Sequence, residues 1–116
     1  MATLLLERER FPRDKPCGGA MYATVLDRYP ELEAVADRRV AAVRTHLNYE
    51  QVVTRPKDTL LFRRTRLDEH LARRAEAAGV DLRDGVNVRR IDFGPDGVTV
   101  GDGMGKEFRG SLLVDA

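Results

Sequence analysis

The chain has 116 residues, of which 42% are hydrophobic and 34% are charged, with 20 Lys and Arg against 19 Asp and Glu. This length fits one modest domain, and the apolar fraction is enough for a packed core, which excludes a disordered polyelectrolyte. The formal net charge of +1 argues against a nucleic-acid-binding protein, because such proteins usually carry a basic excess on one face.

Cys17 is the single cysteine, so the chain can form no internal disulfide and has too few thiols for a typical zinc site. We predict no metal centre and a reducing compartment. No apolar run approaches the roughly 20 residues of a membrane helix, and the three leucines near the start are too few for a signal peptide. We therefore expect a cytoplasmic protein that is soluble or at most peripherally associated with a membrane.

The first third of the chain predicts a strand, a loop and a helix. The apolar run Leu4-Leu5-Leu6 predicts a short strand that ends at Glu7. Residues 11–19 contain two prolines and a glycine pair, which is typical of an irregular loop. A helix is then predicted from the spacing of Met21, Val25, Leu26 and Tyr29, which ends before Pro30, with Leu32 and Val35 as further helix contacts.

The middle of the chain predicts strands and then a helix. Residues 40–49 and 51–54 are strand-like, residues 55–58 predict a turn, and residues 59–62 form another apolar stretch. Thr65 and Asp68 have the spacing of a capping box at the start of a helix. The helix ends at Gly79, and its apolar stripe consists of Leu67, Leu71, Ala75 and Ala78.

The last third predicts a β-meander. Val86 and Val88 alternate with polar residues, and Ile91 and Phe93 do so on the other parity, which predicts a bulge near Arg89. Residues 94–97 predict a hairpin turn, with Val98 and Val100 in the strand that follows it. The run Leu112-Leu113-Val114 is typical of a buried parallel strand.

Two segments carry candidate binding residues, and each has a simpler alternative. Glu7 directly follows a predicted strand, where nucleotide-binding α/β folds place an acid that accepts from ribose hydroxyls; the alternative is a solvated charge. The segment with Arg13, Lys15, Cys17, Gly18 and Gly19 combines cations with glycine amides, which suits an anion or a flat ring. The alternative there is a surface loop with a buried, inert cysteine.

Two other sets of residues are rejected as sites. His46 and His70 lack the neighbours of a catalytic triad, and we interpret both as structural or solvated. The glycines at 101, 103 and 105 lie in a predicted hairpin, so they are not interpreted as a phosphate-binding loop.

Five segments occur in an order that resembles a known family. They are Leu4-Leu5-Leu6-Glu7-Arg8, the run from Phe11 to Gly19, Arg66-Leu67-Asp68 with Leu71, Gly85-Val86 with Val88, and Leu112-Leu113-Val114-Asp115-Ala116. This pattern resembles the geranylgeranyl reductase family of FAD-dependent oxidoreductases, within the aromatic-hydroxylase-like flavoproteins. The resemblance implies an α/β fold: a partial Rossmann-like FAD-binding domain with a β-meander. Residues 1–116 would then be a fragment that lacks the first βα unit and the substrate domain.

The resemblance also implies roles for particular residues. Glu7, with Arg8 beside it, would bind the adenosine ribose of FAD. The loop from Lys15 to Gly19, including Cys17 and Gly18, would pass near the flavin and the substrate pocket. Arg66 would lie close to the cofactor at the start of a helix, and the backbone of Val88 would meet the adenine. Catalytic residues are not assigned.

The implied activity is the reduction of isoprenoid double bonds by NAD(P)H through FAD, with a small-molecule or isoprenoid lipid substrate. A flavin monooxygenase or a halogenase is an alternative, since these enzymes share the motifs. In a third interpretation the chain is non-catalytic and pairs with a partner, or with itself, through exposed strand edges. Because the glycine-rich phosphate-binding motif is missing, we expect the chain alone to be inactive and to bind FAD weakly.

Overall fold

A computed structural model describes residues 2–49 and 51–115. Met1, Glu50 and Ala116 lie outside this description, so the last residue of the motif that ends at Ala116 is not tested. The chain divides into two compact units. The first comprises the described residues up to Phe11 and those from Arg74 onward, and the second comprises Pro12–Arg73.

Eight strands and two α-helices occur among the described residues. In chain order they are β1 Leu4–Leu6, β2 Ala20–Tyr22, a 3-10 helix Ala23–Asp27, α1 Leu32–Val35, β3 Arg38–Leu47, β4 Gln51–Leu61, α2 Arg64–Ala77, β5 Asp81–Arg83, β6 Arg90–Gly94, β7 Gly97–Gly101 and β8 Glu107–Gly110. The expected mixed α/β class is confirmed. Neither α-helix in the described ranges is long and apolar enough to span a bilayer.

The first unit contains a parallel strand pair and an antiparallel meander. The strand β1 pairs in parallel with β5, with Leu5 opposite Leu82. The predicted meander is present as β6-β7-β8, and the predicted turn joins Gly94 to Gly97. Val98 and Val100 of β7 are buried, as the alternation requires. The strand β5 was not predicted, because three residues with one apolar side chain carry almost no strand signal.

Two predictions in the first unit are wrong. Val86 and Val88 lie outside the strands, because the chain after β5 turns towards β1, where the Val86 N–H donates to the Glu7 carbonyl at 2.9 Å. The run from Leu112 to Val114 is not a strand: Leu112 is 71% and Val114 is 80% exposed. An apolar run of this length becomes a buried strand only when neighbouring strands cover it, and this run pairs with no described strand.

The second unit contains a three-stranded antiparallel sheet in the order β2-β4-β3. The turn predicted at residues 55–58 is wrong, because β4 continues through them. The register shifts there: Val40 faces Thr59, whereas Ala42 faces Pro56. This irregularity accommodates a proline, which cannot donate to a strand ladder. The chain reverses instead at Asn48 and Tyr49, where φ is +50° and +60°.

The core of the second unit lies between this sheet and the helices. It is formed by the buried side chains of Leu32, Leu60, Phe62 and Leu67. The helix predicted from Met21 to Tyr29 is in fact β2 followed by the 3-10 helix. Its apolar residues still pack against the core, since a 3-10 turn places residues on one face much as an α-helix does.

The helix α2 confirms a strong sequence signal, but its start differs from the prediction. It begins at Arg64, so Thr65 lies inside the helix and the predicted capping box is wrong. The carboxylate of Asp37 instead accepts from the Arg63 N–H at 2.7 Å. The buried side chains of α2 are Leu67, Asp68 and Ala72, while Leu71 is exposed. The buried face of α2 therefore differs from the predicted apolar stripe. Asp68 lies on the buried face because its carboxylate is paired with Arg13 and Arg64.

Candidate functional site

Glu7 lies at the carboxyl end of β1. Its backbone N–H donates to the Arg83 carbonyl at 3.0 Å, and its carbonyl accepts from the Val86 N–H. Its carboxylate oxygen Oε1 accepts from the Glu9 N–H at 3.0 Å. The carboxylate is therefore fixed at the edge of a parallel strand pair, beside the chain that follows β5. Carboxyl ends of parallel strands are where open α/β sheets bind ligands.

Arg8 lies on the surface next to Glu7. Its Nε donates to Glu9 Oε1 at 2.9 Å, and the two side chains are 68% and 54% exposed. An exposed pair of this kind contributes little to stability. The Arg8 side chain is therefore available to reorient toward a ligand at small cost.

Val88 lies in the segment between β5 and β6. This segment passes the end of β1, where Val86 is hydrogen-bonded to Glu7, and it includes Gly85 with φ of +71°. Val88 is half-buried. In the part of the chain that the structure describes, the backbone N–H and C=O of Val88 make no hydrogen bond. The first unit thus brings the predicted adenosine-binding residues Glu7, Arg8 and Val88 to adjacent stretches of chain.

A buried ion cluster anchors the loop of the second unit. Asp68 of α2 accepts two hydrogen bonds from Arg64, at 2.7 and 2.9 Å, and its carboxylate lies 3.1 Å from the Arg13 guanidinium. The Asp68 side chain is 8% exposed, against 16% for Arg13 and 19% for Arg64. In this cluster the two guanidinium groups share the Asp68 carboxylate. It fixes the loop to the first turn of α2.

Cys17 is exposed, which contradicts the interpretation of a buried cysteine. The pKa of its thiol is lowered, chiefly by a hydrogen bond from the Gly19 backbone N–H and then by one from Arg64. The charges of Arg64 and Lys15 lower it further. These interactions favour the thiolate. The structure therefore groups Lys15, Cys17 and Gly19 with Arg64, a residue that sequence reasoning missed.

The glycine pair has two different environments. Gly19 is buried with φ of +59°, and a Cβ there would lie 2.0 Å from the Phe62 carbonyl oxygen. The Phe62 N–H donates to the Gly19 carbonyl at 2.9 Å. Gly18 is exposed, and a Cβ there would meet no atom within 4 Å. Gly19 therefore serves the packing of this unit, whereas Gly18 leaves open space beside Cys17.

Arg66 lies in the first turn of α2 and is engaged by Asp37. Its guanidinium lies 3.0 Å from Asp37 Oδ1, and the Arg63 guanidinium lies 2.8 Å from the same oxygen. Arg63, through its side chain and its backbone N–H, and then Arg66 hold the pKa of Asp37 at about 2, below its ordinary value of 3.8. Two arginines on one carboxylate leave one positive charge in excess at this end of the helix.

We expect Asp37 to make stability depend on pH. Its folded pKa is lowered, so its contribution is present above pH 3.8 and is lost as the pH falls toward about 2. The free energy of unfolding, measured by urea titration at several pH values, should fall more steeply across this window for the parent than for Asp37→Asn. Asp96→Asn, in a turn of the other unit, is the matched control. Parallel pH profiles for the parent and Asp37→Asn would contradict the assignment.

The histidines have different environments. His46 is exposed on β3. His70 on α2 is half-buried, and its Nε2 is buried with no hydrogen-bond partner among the described residues. The structural interpretation therefore suits His70 and the solvated one suits His46.

No protein-family model matches the chain. Among curated proteins, the dialkyldecalin synthase of Streptomyces rugosporus is 28% identical over 120 residues, which covers 97% of this chain and 26% of the relative. The chain thus spans about a quarter of the length of the curated relative that it matches. Among solved structures, the Diels-Alderase PyrE3 of pyrroindomycin biosynthesis is 27% identical with a TM-score of 0.69, covering 95% of this chain and 26% of that one.

Two halogenases are also similar in structure. The halogenase PltM, solved in complex with phloroglucinol and FAD, has a TM-score of 0.76 at 18% identity and covers 99% of this chain and 29% of that one. The myxobacterial chondrochloren halogenase CndH, described as a variant of the FAD-dependent halogenases, has a TM-score of 0.71 at 23% identity and covers 93% and 29%. The chain has the fold of part of an FAD-dependent flavoprotein.

The fold confirms the expectation that the chain is part of a flavoprotein-like α/β domain. The resemblance to flavoproteins holds, and the chain corresponds to part of a larger fold in each relative named. None of the relatives named above is a geranylgeranyl reductase. Of the site residues, sequence reasoning missed Arg64, although its spacing of four from Asp68 is a recognisable ion-pair signal on a helix.

Proposed function

We propose that this chain forms part of the FAD-binding region of a flavin-dependent oxidoreductase, with Glu7 holding the adenosine ribose. The observation that carries the proposal is the position of Glu7 at the carboxyl end of β1, next to the parallel strand β5. Ligands of open α/β sheets bind at such ends, and an acid there accepts from ribose hydroxyls. The similarity to a halogenase solved with FAD supports the identity of the cofactor.

The residues of the first unit suit the adenosine end of FAD. The half-buried Glu7 is fixed by its own backbone bonds and by the Glu9 N–H, so the carboxylate is preorganised rather than mobile. Arg8 would lie beside the ribose. The backbone N–H and C=O of Val88, which make no hydrogen bond among the described residues, would offer a donor and an acceptor to the adenine. Those backbone groups are the type of partner that recognises a base without a specific side chain.

The loop of the second unit suits a flat, electron-accepting ring. Gly18 leaves the space that a Cβ would fill, which permits close backbone approach. Lys15 and Cys17 lie beside this space, and Arg66 lies in the first turn of α2. The positive charges of Lys15 and Arg66 would favour negative charge on a bound group.

When bound, FAD supplies the electron and hydride transfer, and NAD(P)H would be its reductant. The residues of this chain bind and orient the cofactor. For the whole protein, the motif resemblance supports reduction of an isoprenoid double bond. Halogenation or monooxygenation of a small molecule is the second candidate, and the similarity to PltM and CndH favours it.

The test is a titration of the purified chain with FAD, followed by quenching of flavin fluorescence. We expect weak binding, because the chain lacks the glycine-rich phosphate site, and about tenfold weaker binding for Glu7→Gln, the loss of roughly one charge-assisted hydrogen bond. Glu9→Gln, two residues along, is the matched control and should bind as the parent does. Equal affinity for both variants would refute the ribose role. A parent that takes up no FAD would support the partner-pairing interpretation instead.

A further inference from the structure

An open groove lies on one face of the sheet of the second unit. Its volume is about 680 Å³, and it is bounded by β2, the 3-10 helix, and the β3–β4 hairpin. A smaller hollow of about 370 Å³ lies further along the same face of the hairpin. Val43 and Lys57 line both, so the two form one continuous surface. The main volume lies in the range of small-molecule sites.

The walls of this groove are mostly apolar. Met21, Val25 and Val43 supply aliphatic side chains, and Tyr22 and Tyr29 supply aromatic rings. Tyr22 is 57% exposed and Val43 is 40% exposed, so the described residues leave part of this apolar surface open to solvent. Apolar surface that lines a concavity gains free energy when an apolar ligand covers it.

Two cations lie in the groove and are held by ring faces. The Nζ of Lys57 is 4.5 Å from the centroid of the Tyr22 ring, and the guanidinium of Arg28 is 5.8 Å from that of Tyr29. None of the described lining residues is acidic. Neither cation forms an ion pair with a described carboxylate. The adjacent Asp58 is paired with Arg39 instead, whose guanidinium donates to the two carboxylate oxygens at 2.6 and 2.8 Å.

These features select a ligand by charge. A neutral apolar molecule would cover the groove at the expense of desolvating Lys57 and Arg28, which is unfavourable. A molecule with an anionic group replaces the lost water with a charge-assisted hydrogen bond, typically about twice as strong as a neutral one. Lys57 is common to the groove and its extension, so it is the point where the anionic group is best placed.

We propose that this groove binds an apolar organic anion, whose apolar body lies on Met21, Val25 and Val43 and whose anionic group lies at Lys57. The proposal deepens the proposed function and rests on it, since the groove would take the substrate of the flavoenzyme. Binding at the groove is nevertheless measured without FAD, so its failure and that of the FAD site are separate results.

The probes are naphthoate and its neutral amide, naphthamide, titrated into the chain and followed by backbone amide NMR shifts. We expect naphthoate to bind at least about tenfold more tightly than naphthamide, with the largest shifts at Tyr22, Val43 and Lys57. Lys57→Met should weaken naphthoate about tenfold without weakening naphthamide. Lys106→Met, at an exposed lysine of the other unit, is the matched control and should change neither affinity.

The proposal is overturned if the two probes bind equally, if neither binds, or if the shifts map outside the groove. It is also overturned if Lys57→Met and Lys106→Met give the same naphthoate affinity. Lys57 is exposed, so its substitution should leave the thermal midpoint unchanged. Should Lys57→Met unfold, Lys57→Gln removes the same charge in a polar side chain and must show the same tenfold loss for the proposal to stand.

Discussion

Gly19→Ala should lower the free energy of unfolding by about 3 kcal/mol or more. An alanine with the φ of +59° seen at this position is strained by roughly 1–2 kcal/mol. Its Cβ would also lie 2.0 Å from the Phe62 carbonyl oxygen, a backbone atom of a residue whose N–H is held by a 2.9 Å hydrogen bond to the Gly19 carbonyl. Overpacking of this kind typically costs about 1–3 kcal/mol more.

Gly18→Ala is the matched control, since it is the same substitution one residue earlier. A Cβ at Gly18 meets nothing within 4 Å, so we expect a change within about 0.5 kcal/mol. Urea denaturation of the two variants, followed by circular dichroism, gives the comparison. If Gly19→Ala unfolds at the urea concentration of the parent, the close approach to Phe62 is not a constraint on this fold.

The glycine pair also separates packing from binding. Gly18→Ala keeps the fold but fills the space beside Cys17, so it should weaken FAD in the titration of the chain if the flavin approaches this loop. If Gly18→Ala leaves the FAD affinity unchanged, the loop requires a glycine only at position 19, for packing. The sequence shows two adjacent glycines, and the structure distinguishes them by the positive φ of Gly19 and its close approach to the Phe62 backbone.

Elements with strong local signals were predictable from the sequence. The helix α2 has apolar residues at helical spacing and ends before Gly79, where φ is +91°. The hairpin at residues 94–97 has a proline and glycines at the positions that a tight turn requires, and Gly97 has φ of +129°. In both places the preference of a few neighbouring residues decides the backbone, so no tertiary information is needed.

Elements that depend on distant partners were not predictable. The strand β5 forms because β1 offers a row of backbone donors and acceptors beside it, not because Asp81–Arg83 favours a strand. The run from Leu112 to Val114 shows the converse, since its apolar sequence finds no described neighbour and stays exposed. Pro56 predicted a turn, but the register shift opposite Ala42 lets β4 pass through it.

The site was predictable in part for the same reason. Glu7 could be singled out because its position directly after an apolar strand is a local feature. The inward position of Asp68 could not, because it depends on Arg13, which is 55 residues away along the chain and pairs with it at 3.1 Å. A helix-start acid is more often a cap, and here that preference is overridden by two guanidinium groups.

Asp68→Asn should therefore destabilise the second unit by about 3 kcal/mol. The substitution keeps the shape of the side chain but leaves Arg13 and Arg64, both mostly buried, without their shared negative charge. Removal of one partner from a buried ion pair costs roughly 3–5 kcal/mol, because the remaining charge is uncompensated. The partial exposure of both arginines places the expected value at the lower end.

Asp81→Asn is the control, because Asp81 also pairs with an arginine, but both side chains are about half exposed. It should leave the urea midpoint nearly unchanged. A second readout separates the charge effect from simple unfolding. Without the Asp68 carboxylate, Arg64 acts more strongly on Cys17, so the pKa of this thiol, already lowered, should fall further. The pH dependence of iodoacetamide labelling of the folded variant measures this shift, and a raised or unchanged thiol pKa would mean that Arg64 does not act on Cys17 in solution.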